Sequence, residues 1–224
     1  MHHSITRRQW LAGTAGIALA AAAPLPSSAQ GLPGPLTLSD AARPKNKADA
    51  AALQAFFAET FEAALSLSPE MQTQLGRKTA YDRWDDGSDA FADASIARTR
   101  RELDLLRQGW DPAQLGEGDR LNFRLYEAQC EADIESHRWR GHAYPLNHLY
   151  GRHTGIPSFL ANQHEIADLS DARAYLARLD GISAVIRNVI RRGEDAAARG
   201  VAGEQRTTAG PRLGPLLGVY AKVR

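Results

Sequence analysis

The chain has 224 residues, 43% of them hydrophobic and 24% charged, which suits one folded domain or a piece of a larger one and excludes a disordered polymer. Basic and acidic residues number 27 and 26, so no basic face of the kind that neutralises phosphates is on offer, and nucleic-acid binding is disfavoured. The single cysteine, Cys130, excludes an internal disulfide and a multi-cysteine zinc site.

The chain opens with Thr6-Arg7-Arg8-Gln9-Trp10-Leu11, an arginine pair followed by a bulky aromatic and a leucine, the pattern read by the twin-arginine translocase. Ala12 to Ala23 is apolar, built of small residues and too short to span a bilayer, and Pro24 and Pro26 end it. Ser27-Ser28-Ala29 suits a signal peptidase, so residues 1–29 are expected to leave after Ala29, with Arg7 and Arg8 as the recognition pair. The expected product is periplasmic or secreted, carries 25 basic against 26 acidic residues and has no stable membrane anchor.

Residues 30–45 read as a flexible tether, with four prolines or glycines among residues 31–35. From about Asn46, Leu53, Phe56, Phe57, Phe61, Ala64 and Leu65 recur at three- and four-residue spacing and predict an amphipathic helix. Ser68-Pro69-Glu70 has the cap-then-proline order that opens another. A surface loop over Tyr81 to Asp89 precedes a helix from about Ser88 to Gln108, with Gly109 as its stop.

Asp111-Pro112 starts a turn, and a long helix runs from about Gly118 to His137. Leu121, Leu125, Ala128 and Ala132 form one stripe of it, with Phe123, Tyr126, Cys130 and Ile134 beside, a width that predicts burial against two neighbours. Gly141 to Gly155, with its glycines, Pro145, histidines and tyrosines, reads as an ordered loop. Ser170-Asp171 caps a last helix whose apolar face is Tyr175, Leu179, Ile182, Val185, Ile186, Val189 and Ile190. No segment alternates with period two, so residues 46–199 read as an all-α bundle of five or six helices. Residues 200–224 lose the period and read either as a disordered end or as a slipped reading frame.

The residues themselves assemble no active site. His137, His142, His148, His153 and His164 crowd one stretch, yet the nearest approach to a zinc helix, His164-Glu165-Ile166-Ala167-Asp168, has aspartate where the second histidine belongs. That segment is short and precedes a helix cap, so it reads as a turn. His142, His148 and His153, with Tyr144 and Tyr150, read as loop scaffolding rather than a site. Asp85-Asp86 and Glu131, Asp133 and Glu135 give no sign of burial, and Cys130 has no histidine near enough on its helix to activate it.

Ser68-Pro69-Glu70, Leu75-Gly76, Asp119-Arg120-Leu121-Asn122-Phe123, Tyr144-Pro145-Leu146-Asn147, Ile156-Pro157-Ser158-Phe159-Leu160, Asp171-Ala172-Arg173-Ala174-Tyr175 and Arg178-Leu179 occur in an order and spacing of their own. Together, over roughly Ala48 to Gly200, they resemble the N-terminal part of a bacterial family known only as domain of unknown function 885. The resemblance implies a long, mostly helical, often exported protein similar to gluzincin-type zinc metallopeptidases, with its His-Glu-x-x-His motif in a C-terminal half beyond these motifs. It therefore implies the N-terminal part of a larger zincin-like fold, with zinc expected in full-length relatives and none in this chain. No catalytic or metal residue carries over. Tyr144, Asn147 and His148 are expected to wall a cleft for a peptide substrate in such relatives. The rival expectation is a self-sufficient periplasmic helical binding module.

Overall fold

The computed structural model describes residues 31–34, 36–142, 145 and 151–201, and among these the chain is all-α. Six α-helices follow in order: α1 (Ala50–Leu65), α2 (Pro69–Gln74), α3 (Asp89–Gly109), α4 (Glu117–Arg138), α5 (Arg152–Asn162) and α6 (Leu169–Ala198). Short 3₁₀ turns at Asp40–Ala42, Pro112–Gln114 and Arg140–His142 join or extend them. No helix among the described residues is long and apolar enough to cross a membrane.

Local chemistry sets most of the boundaries. Asp49, Ser68 and Ser88 each accept a backbone N–H of the first turn that follows, at Ala52, Met71 and Phe91, and Pro69 takes the first position of α2, where its missing N–H costs nothing. Gly109 belongs to α3 rather than stopping it. The helix ends because Trp110 turns extended (φ −127°, ψ 157°), and Gly109 lets the Pro44 ring lie close, where a Cβ would stand 3.1 Å from it.

Two apolar clusters fill the bundle. The first joins α1, α3 and α4 through Leu53, Phe56, Leu106, Trp110 and Phe123, and its rings meet edge-on or tilted, Phe56 lying 5.5 Å from Trp110 and 5.7 Å from Tyr126. The stretch read as a tether lays Leu36, Leu38 and Ala42 onto this cluster. The second joins α5 and α6 to the loop before α3, through Ile156, Phe159, Leu160, Ile186 and Trp84.

Three expectations are corrected. Arg152–Asn162 is helical although the sequence there suggested a loop as far as Gly155. Gly151, at φ 150°, makes the turn into it, and Ile156, Phe159 and Leu160 at helical spacing hold it against Trp84 despite Pro157. The cap of α6 is Asp168, which accepts from Asp171 N at 2.9 Å, so Ser170 and Asp171 lie within the first turn. On α4 only one of the two stripes is buried: Phe123 and Cys130 are inside, with Tyr126 packed against the core, whereas Leu121, Leu125, Ala128 and Ala132 all face outward.

On α1 the core face is Ala52, Leu53, Phe56, Thr60 and Leu65, and Phe61 is 54% exposed. Phe56→Ala is therefore expected to lower the unfolding free energy by about 3–5 kcal/mol. Phe61→Ala should change it by no more than about 0.5 kcal/mol. Urea unfolding of the two variants checks the contrast.

Candidate functional site

Among the described residues, a dense set of polar contacts lies where α2, the loop before α3, the α5–α6 turn and α6 converge. At its centre is Arg178 of α6, fully buried. Its guanidinium donates through Nε to Arg83 O (3.0 Å), through Nη1 to His164 Nδ1 (3.0 Å), and through Nη2 to Thr73 Oγ1 (2.7 Å) and Pro69 O (3.4 Å). The rings of Phe159, Tyr81 and Trp84 surround it at 4.8, 5.3 and 5.5 Å. A charge removed from water is tolerable only when its donors are satisfied, and here oxygens, an imidazole and aromatic faces do this, with no carboxylate of the described residues in contact. Burial nonetheless lowers the Arg178 pKa, opposed by the more distant charges of Glu70, Asp82 and Asp85.

These bonds fix the state of His164. Arginine only donates, so Nδ1 must accept. Nε2 then carries the proton and donates to the carbonyl of Asp171 at 3.2 Å. The ring is stacked on Tyr81 (4.0 Å between centroids), edge-on to Tyr175 and 5% exposed. Burial lowers its pKa, the Asp171 carbonyl works against that, and Arg178 adds to it. Both nitrogens are occupied, so His164 has no lone pair for a metal, and Asp168, which stands where the second histidine of a zinc helix would, caps α6.

Asp171 completes that side. Its carboxylate accepts from Lys78 Nζ at 2.6 Å and from Ala167 N at 3.0 Å, and the lysine hydrogen bond holds its pKa below the usual carboxylate range. Tyr81 hydroxyl donates to Glu165 O at 3.0 Å. On the other side Glu70 receives a two-pronged contact from Arg152 (2.6 and 2.8 Å), and Asp85 accepts from Ser68 Oγ and Glu70 N at 2.8 and 2.9 Å. Asp85 is half-buried, contrary to the expectation from sequence, and desolvation raises its pKa against the hydrogen bond from Glu70 N. Trp84 Nε1 donates to Arg178 O at 2.8 Å, and Gly181 leaves room for that indole, since a Cβ there would come within 3.0 Å of it.

The arrangement holds helices together; it presents no free nucleophile or unpaired general base. The other described histidines, His137, His142 and His153, have separate surroundings. His137 is bonded to Asp93 at 2.9 Å, His142 lies edge-on to Trp139, and His153 Nδ1 is buried with no hydrogen-bond partner among the described residues. Cys130 is buried and desolvation pushes its thiol up to about 12, so it stays protonated. Among the described residues no three His, Cys, Asp or Glu side chains are grouped to hold a metal ion. Arg7, Arg8 and Ala29 of the leader, and Tyr144, Asn147 and His148 of the expected cleft wall, lie outside the described residues.

The residues of this junction are those whose order suggested a family: Ser68, Pro69, Glu70, Phe159, Asp171, Tyr175 and Arg178. The family model described as a bacterial protein of unknown function (DUF885) matches residues 69–210. The chain belongs to DUF885. The match takes in all of the junction except Ser68 and runs past Gly200 into the segment set apart as irregular. No curated protein and no solved structure matches the chain. In this member of DUF885 the junction residues cap α2, surround one buried arginine and fix one imidazole.

Arg178 was missed in the sequence although a signal was present. Asp171, Tyr175, Arg178 and Ile182 recur at four, three and four residues, which puts two charged side chains on the apolar face of α6. Arg178→Met should strand Thr73, Arg83 O and His164 Nδ1 without donors, and a loss of about 3–5 kcal/mol in urea unfolding is expected.

A pH effect follows from His164, whose folded pKa is depressed below the ordinary 6.5. Above that value the imidazole is neutral in both states and its contribution is complete. As pH falls below 6.5 the unfolded chain takes up a proton that the folded chain resists, so stability is lost. The groups facing the ring are Arg178, Lys78, Asp171, Tyr81 and Tyr175. Asp171 titrates below its ordinary carboxylate value and keeps its charge through this window. The urea midpoint should therefore fall between pH 7 and pH 5, and His164→Gln should flatten that fall; an unchanged slope in the variant contradicts the assignment.

Proposed function

We propose that this chain is the N-terminal, non-catalytic helical part of an exported zinc-dependent hydrolase of the gluzincin type, and that it walls a peptide-binding cleft in the assembled enzyme. On this reading Tyr144, Asn147 and His148 face the peptide, zinc is bound by the partner half, and the chain alone is inactive. Membership of DUF885 supports the reading at the level of the family.

The observation that carries it is the outer face of α4. Leu121 and Leu125 are 57% and 60% exposed, Ala128 and Ala132 are exposed, and Trp139 follows at 56%. Leu121, Leu125, Ala128 and Ala132, spaced four, three and four residues apart, form a short apolar stripe of the kind that packs along another helix, with two alanines that permit close approach; Glu135 interrupts it before Trp139, which caps the helix. An unpaired seam of this kind is expected where further helical chain belongs.

The rival, a self-sufficient binding module, draws support from the completeness of the buried junction. Cooperative unfolding without aggregation would favour it.

Purified protein is expected to bind no stoichiometric zinc and to cleave no peptide, as measured by metal analysis and a mixed-peptide digest. Zinc-dependent hydrolysis by this chain alone would overturn the proposal. Export is proposed to run through the twin-arginine translocase with cleavage after Ala29. Replacing Arg7 and Arg8 together with lysine should then leave an unprocessed protein in the cytoplasmic fraction; normal processing of that variant would exclude the route.

A further inference from the structure

A second feature lies at the opposite end of α6 from the Arg178 junction. A cleft of about 540 Å³ opens between the end of α4, the Arg140–His142 turn and the last turns of α6, lined by Asp89, Arg138, Arg140, His142, Arg192, Asp195 and Arg199 with Gly141, Ala198 and Val201. Four arginines and a histidine thus face two carboxylates.

Those carboxylates are already engaged from outside the cleft. Arg191 bonds to Asp89 at 3.2 Å and to Asp195 at 3.1 Å. Arg138 is paired with Glu135 (2.9 Å) and Arg140 with Asp93 (2.9 Å). Two guanidinium groups remain. Arg192 has no hydrogen bond or ion pair to any described residue. Arg199 uses Nε on the Asp195 carbonyl at 3.1 Å and has no carboxylate partner among the described residues.

Capping of helix C-termini accounts for part of this charge, since Arg140 Nη1 and Arg199 Nε donate to the last-turn carbonyls of His137 and Asp195. It does not account for Arg192, which stands nearly two turns before the end of α6. Nor does it account for Gly141. A Cβ at that position would lie 2.9 Å from Arg199 Nη1 and 3.1 Å from Cζ, so the absence of a side chain lets the guanidinium lie directly on the Arg140–His142 turn. One arginine is thereby tethered by Nε with its outer edge available, beside a second whose five donors are unspent.

We propose that this cleft binds a small oxyanion, a carboxylate or a phosphate, gripped by Arg192 and Arg199. Planar guanidinium groups match both anions two-pronged, and Arg191, bonded to both Asp89 and Asp195, offsets part of the negative charge at the rim. The site is independent of any zinc chemistry elsewhere.

The test titrates the purified full chain with inorganic phosphate and, separately, with succinate, at fixed ionic strength held with chloride, by isothermal calorimetry. Saturable binding at one site is expected, and the tighter of the two anions identifies the source. Arg192→Gln with Arg199→Gln should weaken it at least ten-fold, and Gly141→Ala, which displaces Arg199 without changing charge, should weaken it by a smaller factor. Arg100→Gln, an exposed arginine on α3, should leave it unchanged. The urea midpoint of each variant confirms that it is folded. No binding beyond that of chloride, or equal binding by the double variant, overturns the proposal.

Discussion

The structure turns on one buried guanidinium. Arg178 donates to α2, to the loop before α3 and to the α5–α6 turn, and it lies among the rings of the second apolar cluster. Because no carboxylate among the described residues touches it, the charge is held by oriented carbonyls, a hydroxyl and an imidazole, each of which must be in place for the others to be useful. α2 is in turn tied to α1, where Gln72 Nε2 donates to Leu65 O at 2.9 Å. The two clusters are thus joined by polar contacts of fixed geometry, and these specify the relation of the helices more narrowly than apolar packing would.

That junction lies within the stretch matched by the DUF885 model and is built of structural contacts. Ser68 and Pro69 open α2, Glu70 and Arg152 join it to α5, and His164 is locked as a neutral tautomer under Arg178. The faces that remain exposed differ in kind. The outer stripe of α4 is apolar and regular, as a helix seam is; the cleft at the far end of α6 is cationic and built around Gly141.

The helices were largely legible in the sequence because their starts are marked by side chains with one dominant use. Ser68 before Pro69 and Ser88 before Asp89 placed α2 and α3 to within a residue. α5 was not legible, because Gly151, Gly155 and Pro157 are loop formers by local preference and only the packing of Ile156, Phe159 and Leu160 on Trp84 makes the segment helical. On α4 the residues offered two apolar stripes on opposite faces, Leu121 being about 200° around the helix from Phe123. Periodicity shows that both are apolar and cannot show which has a neighbour. The junction was legible only as scattered motifs, since Arg178 finds its acceptors up to 109 residues away in the chain.

We propose that this chain supplies architecture to an enzyme whose chemistry resides in further chain. The most direct measurement is to sequence the gene and translate about a thousand bases beyond codon 200 in all three frames. The account predicts a helical continuation carrying His-Glu-x-x-His and a downstream glutamate. Closure of every frame would contradict it and leave the self-sufficient binding module in its place.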